Sequence, residues 1–498
     1  MGTPIPVNHA RLSLDEIVGA TGGALVADSG ATGVVGVSTD TRELPRGAAF
    51  VALSGERFDG HQHLDAAAAA GARVVIVERD VTAPPGLAVI RVPSTLVALG
   101  DLARFHARRW RAIGGPRRVV AITGSAGKTT TRVAAQALLE ALAPGQVLAT
   151  TGNLNNRVGL PLTVLGLDEE HRVAVLEVGT SLPGEIALLA AIAEPDVAVL
   201  TLVAEAHVAA LGSLDGVQAE KGALLRALPE GAVAIANGDD ARASAELAAS
   251  PARRRVRYGF APGLDVVIAA RRPEGLSAAR LTVTRAAGTV SFVTPLLGEA
   301  GALATAAALA VADAVGADLG APPLVDGARL ESVFARAEVG GGGGRLVPRL
   351  LADGLALVDD SYNANPASTR ASIRAARELA AATGRRLVLV LGEMRELGVA
   401  SDEGHDAVGI AAAESGAGAI VAVAGAARRI ADAARAAGAP VTFADDVAAA
   451  ARDVLEIVRP TDLVLVKGSR GVATERVVRA LVAAHDGTPT PVRAGRAP

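Results

Sequence analysis

A chain of 498 residues exceeds what one ordinary core accommodates and, at roughly 150 residues per domain, divides into about three. Its 49 lysines and arginines nearly balance 52 acidic residues, a formal charge of −3 that excludes general attraction to polyanions, and the absence of cysteine excludes disulfides, thiol catalysis and cysteine metal sites. The mean hydropathy of +0.36 reflects alanine: no window approaches the roughly 18 uninterrupted apolar residues of a spanning helix, and the first residues lack the pattern of a signal peptide. The expectation is a cytoplasmic protein with no membrane span and no nucleic-acid partner.

Residues 1–115 read as a small α/β N-terminal domain. Ser13 and Glu16 can satisfy each other's free N–H groups as a capping box and open a helix through Ile17 and Val18. Short strands on either side of a turn at Pro45 and Gly47, a polar loop, a helix at 66–70 and a strand at 74–77 follow. Arg104, Arg108, Arg109, Arg111, Arg117 and Arg118 surround Trp110. Aromatic stacking partners are otherwise scarce, so these arginines read as a solvated helix face and linker rather than a nucleic-acid patch.

Residues 116–339 open on the most informative stretch of the chain. The apolar run 119–122 suits a buried parallel strand, Gly124-Ser125-Ala126-Gly127 a tight turn, and Lys128-Thr129-Thr130 the start of a helix continuing to Leu142. Strand, glycine turn and helix N-terminus make a phosphate cradle of backbone N–H groups to which Lys128 adds a full charge. Two residues separate the glycines rather than four, a shortened form of the P-loop, and the implied cofactor is ATP or another nucleoside triphosphate. A hydroxyl of Thr129 or Thr130 is placed to hold Mg²⁺ on the same phosphates. Downstream, Glu177 ends a strand at 172–178 and His207 follows a strand at 197–203; leaving neighbouring strands toward the loop, they suit a hard divalent ion such as Mg²⁺. Lys221 lies in a helical segment and is indistinguishable, by local composition, from a solvated lysine. Strands within 264–293 around a turn at 286–288 form an antiparallel addition to this central, doubly wound P-loop domain.

The glycines at 340–344 read as a flexible tether. Beyond it, in 345–498, strands at 355–358, 386–391, 419–423 and 462–466 alternate with helices at 368–382, 426–437 and 472–484, the pattern of a C-terminal Rossmann-like α/β domain.

Several polar runs lie at the strand ends of these units. They are Ser38-Thr39-Asp40-Thr41-Arg42 and Asp59-Gly60-His61, Thr151-Gly152-Asn153-Leu154-Asn155-Asn156, and Asp359-Asp360-Ser361-Tyr362-Asn363-Ala364-Asn365-Pro366. Gly392-Glu393-Met394-Arg395-Glu396-Leu397-Gly398 and Lys467-Gly468-Ser469-Arg470-Gly471 complete the set. Through them the chain resembles, over essentially its whole length, the Mur ligases, ATP-dependent enzymes that extend the peptide of the peptidoglycan precursor. The likeness is greatest to the members that join D-alanyl-D-alanine to UDP-N-acetylmuramoyl-tripeptide.

The resemblance implies a monomer that activates a carboxylate with ATP and Mg²⁺. Asp40, Arg42, Asp59 and Gly60 are cast as contacts to the uridine diphosphate end. Gly124 to Thr130 with Asp360 and Tyr362 bind ATP, and Asn153, Asn155, Asn156, Asn363, Asn365, Glu393, Arg395, Lys467 and Ser469 bind substrate. Lys128, Glu177, His207 and Lys221 form the catalytic set, with Lys221 carried as a carbamate that holds Mg²⁺ beside Thr129, Thr130, Glu177 and His207. The chain departs from the family where a histidine and two asparagines hold adenine, having Ala300, Gly301 and Ala304 instead, and Ser181, Leu202, Ala209 and Ala223 also replace polar residues. Those losses raise an alternative, a paralogue that binds a UDP-linked precursor without turnover or with altered specificity.

Overall fold

The computed structural model describes residues 4–55, 58–337 and 344–485, in which sheets of five, nine and six strands follow one another along the chain. The first helix, Leu14–Thr21, opens on the expected capping box: Glu16 N donates to Ser13 Oγ and Ser13 N to the Glu16 carboxylate. The first sheet runs Ala24–Ala27, Ala88–Arg91, Val74–Val77, Ala49–Val51, Val37–Ser38, parallel except at its first pairing. The strands flanking the Pro45/Gly47 turn are therefore parallel neighbours, and the turn ends a crossover that carries the 3₁₀ turn Thr41–Glu43.

Helix Thr95–Ala112 joins this sheet to the next. Its Leu99, Leu102 and Trp110 share one apolar cluster with Ile76 of the first sheet and Leu176 of the second, each buried leucine contributing roughly 1.5–3 kcal/mol. The basic cluster around Trp110 is neutralised in place. Arg104 and Arg108 pair with Glu194, Arg109 with Glu16, Arg111 with Asp196 and Arg118 with Asp318, while Arg117 donates to the carbonyls of His171 and Glu169.

The nine-stranded sheet has the order Val147–Ala149, Val173–Glu177, Arg118–Thr123, Val197–Leu200, Val233–Asn237, Arg254–Gly259, Val266–Glu274, Ala278–Arg285, Gly288–Thr294. It is parallel through Val266–Glu274, and the last two strands add to it antiparallel, as expected from the turn at 286–288. Neighbouring residues of one strand face opposite layers: Val119 and Ala121 lie in one apolar cluster, Val120 and Ile122 in the other. Glu177 and His207 do not leave adjacent strands, contrary to the sequence expectation. The phosphate-loop strand Arg118–Thr123 lies between theirs, so the two residues flank the loop from either side.

Helix Gly298–Asp318 has its apolar run interrupted by Glu299, Thr305 and Asp313, yet its 21 residues, with a mean hydropathy of 1.6 in the most apolar window, are long and apolar enough to cross a membrane. Within this fold 78% of that window is buried, and the helix packs on Lys128–Leu142 and the second sheet.

The third sheet has the order Val347–Leu350, Ala356–Asp360, Asp462–Lys467, Arg386–Gly392, Ala419–Val423, Val441–Ala444 and is parallel apart from its first strand. Apolar clusters on both faces give the doubly wound arrangement expected from the alternation of strands and helices. Of the glycine run, positions 340–343 lie outside the described residues, as do Glu56 and Arg57.

Candidate active site

Strand Arg118–Thr123 ends at Gly124, whose φ of +147° and tight seat against Thr201 require glycine: a Cβ there would lie 1.9 Å from Thr201 Oγ1. Gly127, at φ +83°, caps helix Lys128–Leu142. Lys128 folds back over the loop, its Nζ donating to Gly124 O at 2.8 Å. Desolvation lowers its pKa; nearby Glu177 opposes that shift and Arg345 adds to it.

Glu177 is 2% exposed and held from both sides, accepting from Thr129 Oγ1 at 2.7 Å and Asn155 Nδ2 at 2.8 Å. Of the two candidate hydroxyls it is therefore Thr129 that meets the carboxylate. His207 adopts a left-handed backbone, φ +57°, and its Nδ1 lies 2.7 Å from Glu396 Oε2 of the third domain. Lys221 is 0% exposed with no hydrogen-bond partner for Nζ, and burial, reinforced by Lys128, lowers its pKa well below the usual lysine range. Its burial excludes the solvated alternative that local composition left open. Glu220 beside it, absent from the expected set, accepts from the amides of Gly184 and Ile186 and pins the loop after Glu177. Among the described residues no three histidine or acidic side chains converge as a preformed metal cluster.

The third domain closes the site from above. Asn365 caps helix Pro366–Thr383, its Oδ1 accepting from Ser368 N, and its Nδ2 donates to Ser125 O of the phosphate loop at 3.3 Å. Arg271 with Glu378 at 2.6 Å and Arg374 with Glu299 at 3.0 Å bind the same two domains. The Asp360 carboxylate, expected to face the nucleotide, is engaged inside its own domain: Lys467 Nζ donates to it at 2.7 Å, and Ser372 Oγ and Leu346 N also donate. Lys467 donates a second time to Asn363 O at 3.0 Å. Arg395 N donates to Ser469 Oγ and its guanidinium to Glu393, so these residues tie the third-domain loops to one another. The ring of Tyr362 lies under the guanidinium of Arg345 at 4.0 Å, and Arg470 approaches at 5.6 Å.

One cleft of about 1240 Å³ brings most of the expected residues together. Its walls include Ser125 to Thr130, Asn153, Asn155, Asn156, Glu177 and His207 from the middle domain, and Asp360, Tyr362, Asn363, Asn365 and Lys467 from the third. Arg345, which sequence reasoning missed, lines it as a second cation near Lys128. Gly124, Lys221, Glu393, Arg395 and Ser469 do not line it. Asp40, Arg42, Asp59 and Gly60 belong to the first domain and lie outside this cleft. There Asp40 accepts from Arg42 N and its guanidinium, and Asp59 accepts from His61 N and pairs with Arg79, so both carboxylates cap their own loops. Arg42 and Arg79 hold the two carboxyls below the usual carboxylate range.

The far wall of the cleft is apolar: Leu296, Leu297, Ala300, Gly301, Ala304 and Phe334. Gly301 is closely fitted, since a Cβ would meet the backbone carbon of Leu296 at 2.5 Å. An asparagine at this position does not fit the loop as it stands.

Comparison with known proteins agrees with this geometry. The profile of the Mur ligase middle domain matches residues 122–312, the Mur ligase glutamate ligase domain residues 344–470, and the Mur ligase family catalytic domain residues 33–107. The chain is 37% identical to the UDP-N-acetylmuramoyl-tripeptide–D-alanyl-D-alanine ligase of Escherichia coli strain K12 over 89% of its own length and 93% of that protein's. The crystal structure of MurF from Acinetobacter baumannii superposes with a TM-score of 0.82 at 30% identity, covering 97% of this chain and all of that one. MurF ligase from Thermotoga maritima, solved in complex with ADP, gives 0.75 at 28% identity over 89% of this chain and 96% of that one. On matches that span all three sheets and the cleft between the second and third, the chain belongs to the Mur ligase family.

Proposed function

We propose that the chain joins D-alanyl-D-alanine to UDP-N-acetylmuramoyl-tripeptide at the expense of ATP. The observation that carries the reading is the contact of Asn365 with Ser125, which sets the third-domain loops directly over the phosphate loop. Residues 1–115, 116–339 and 345–498 serve as the precursor, ATP and dipeptide domains, with Asp40, Arg42, Asp59 and Gly60 toward the uridine diphosphate. The protein works as a monomer in the cytoplasm, where ATP is available.

The reaction brings two anions together, the carboxylate of the tripeptide and the γ-phosphate, so the protein's contribution is mainly electrostatic. Lys128, Arg345 and the backbone N–H groups of the loop offset the charge of the phosphates. A carboxylate oxygen bonds to the γ-phosphorus as the bond to ADP breaks, giving an acyl phosphate. The dipeptide amine attacks the acyl carbon and loses a proton, phosphate leaves, and the amide remains. Asn153 and Asn156 line the cleft from the middle domain and Asn363 and Asn365 from the third.

Thr129, Glu177, His207 and Lys221 would hold Mg²⁺, which when bound screens the phosphate charge. The residues fit the ion on one condition. Glu177 and Thr129 supply hard oxygens, but Lys221 is a buried amine without a partner, and such a group costs about 1–3 kcal/mol. Burial disfavours its ammonium form, and once deprotonated the amine can add carbon dioxide, with release of a proton, and become the anionic oxygen ligand that the set lacks.

Purified protein given ATP, Mg²⁺, UDP-N-acetylmuramoyl-tripeptide and D-alanyl-D-alanine should form the UDP-linked pentapeptide, seen by mass, with phosphate release that stops when any one reactant is withheld. Binding of the precursor without phosphate release from any triphosphate would leave the non-catalytic paralogue as the reading.

A further inference from the structure

Where the middle domain meets the third beside the phosphate loop, two residues that are not glycine adopt left-handed backbone and face each other: His207 at φ +57° and Glu396 at φ +67°. Such backbone is uncommon outside glycine and persists where the surroundings hold it. Here they do. Ala209 N donates to Glu396 O at 3.1 Å, and Gly398 packs so closely that a Cβ would lie 2.9 Å from Ala209 Cα. The short helix Val208–Leu211 thereby docks on the 3₁₀ turn Gly398–Ala400. At the centre of the contact His207 Nδ1 lies 2.7 Å from Glu396 Oε2, and Nε2 has no partner within the described residues.

We infer that Glu396 is a positioning residue for the metal site. By accepting the Nδ1–H of His207 across the domain boundary, it fixes the tautomer and ring orientation that leave Nε2 free as a ligand. A ligating histidine needs its other ring nitrogen held as a donor, and a carboxylate is the common partner for it. Here that partner belongs to a different domain from the ligand. The divalent ion and the docked third domain therefore stabilise each other, because whatever tightens metal binding on docking must, by the same free energy, tighten docking on metal binding. The inference rests on the assignment of His207 to Mg²⁺ made above.

The test uses the full chain with Mn²⁺ as a paramagnetic stand-in, titrated by electron spin resonance in the presence of ADP. Glu396→Ala should weaken Mn²⁺ about 10–100-fold. Glu396→Gln, whose amide oxygen can still accept from Nδ1–H, should recover most of the affinity. In metal-free protein labelled with ¹⁵N at histidine, the His207 ring should be the Nδ1–H tautomer in wild type and the Gln variant, and revert toward Nε2–H in the Ala variant. A role limited to holding the domains together would leave the tautomer unmoved. If Glu396→Ala binds Mn²⁺ as wild type does while His207→Ala binds it weakly, the inference is overturned and the metal assignment survives. If His207→Ala also binds normally, His207 is not a ligand and the premise falls with the inference.

Discussion

Replacing Lys467 by methionine tests how the third-domain loops are held in place. The ammonium is 3% exposed, donates to Asp360 at 2.7 Å and Asn363 O at 3.0 Å, and has its carboxylate partner almost as deeply buried. Removing one member of a buried ion pair leaves the other uncompensated, an effect of about 3–5 kcal/mol. Asp360 would keep only Ser372 Oγ and Leu346 N, neither of which carries charge. Lys467→Met should therefore destabilise the third domain by about 3–5 kcal/mol in urea unfolding followed by far-ultraviolet circular dichroism. The double variant Lys467→Met with Asp360→Asn removes both charges at once and should be less destabilised than the sum of the two single variants by roughly 0.5–3 kcal/mol, the coupling of residues in contact. A single variant within about 1 kcal/mol of wild type, or a double variant no better than the sum of two singles, would refute the reasoning.

Lys221→Met should abolish turnover and raise the unfolding midpoint, because it replaces an unpaired buried amine with an apolar chain of similar length; a lower midpoint would count against the orphan-amine reading. Three side-chain hydrogen bonds, worth about 0.5–1.5 kcal/mol each, are missing from the wall formed by Ala300, Gly301 and Ala304, so GTP should support turnover within about tenfold of ATP; discrimination above roughly a thousandfold would show that the base is read by other groups. Burial holds the imidazole of His405 below its ordinary pKa near 6.5, so the unfolded chain binds the extra proton first. The stability that His405 contributes is thus present above pH 6.5 and falls by about 1.4 kcal/mol per pH unit between 6.5 and the depressed folded value, a slope that urea titrations of His405→Gln should lack relative to wild type.

Much of this arrangement was legible because it is written locally. The apolar runs, the glycine turn before Lys128 and the capping box of Ser13 and Glu16 each specify their own backbone, and the strands at 419–423 and in the antiparallel addition lie where alternation and turns put them. Order across a sheet is not local, so the strand between those of Glu177 and His207 could not be read from their spacing. The edge strand Val347–Leu350 was missed because its residues are only partly buried and carry no continuous apolar run. Nothing marked Arg345 either: a single arginine after a glycine run acquires meaning only when the fold stacks it on Tyr362 beside Lys128. Motif likeness brought Asp360 and Lys467 to the site, but the geometry shows them bracing each other, while Asn365 makes the contact with the phosphate loop.

The central claim is that the tripeptide carboxylate takes the γ-phosphoryl group in the cleft between Lys128 and the third-domain loops. Tripeptide precursor labelled with ¹⁸O in its terminal carboxylate, turned over with ATP and D-alanyl-D-alanine, follows that oxygen directly. The account predicts one ¹⁸O in each phosphate released and one retained in the new amide, with no labelled phosphate from Lys128→Ala. Amide product accompanied by phosphate free of ¹⁸O would contradict it.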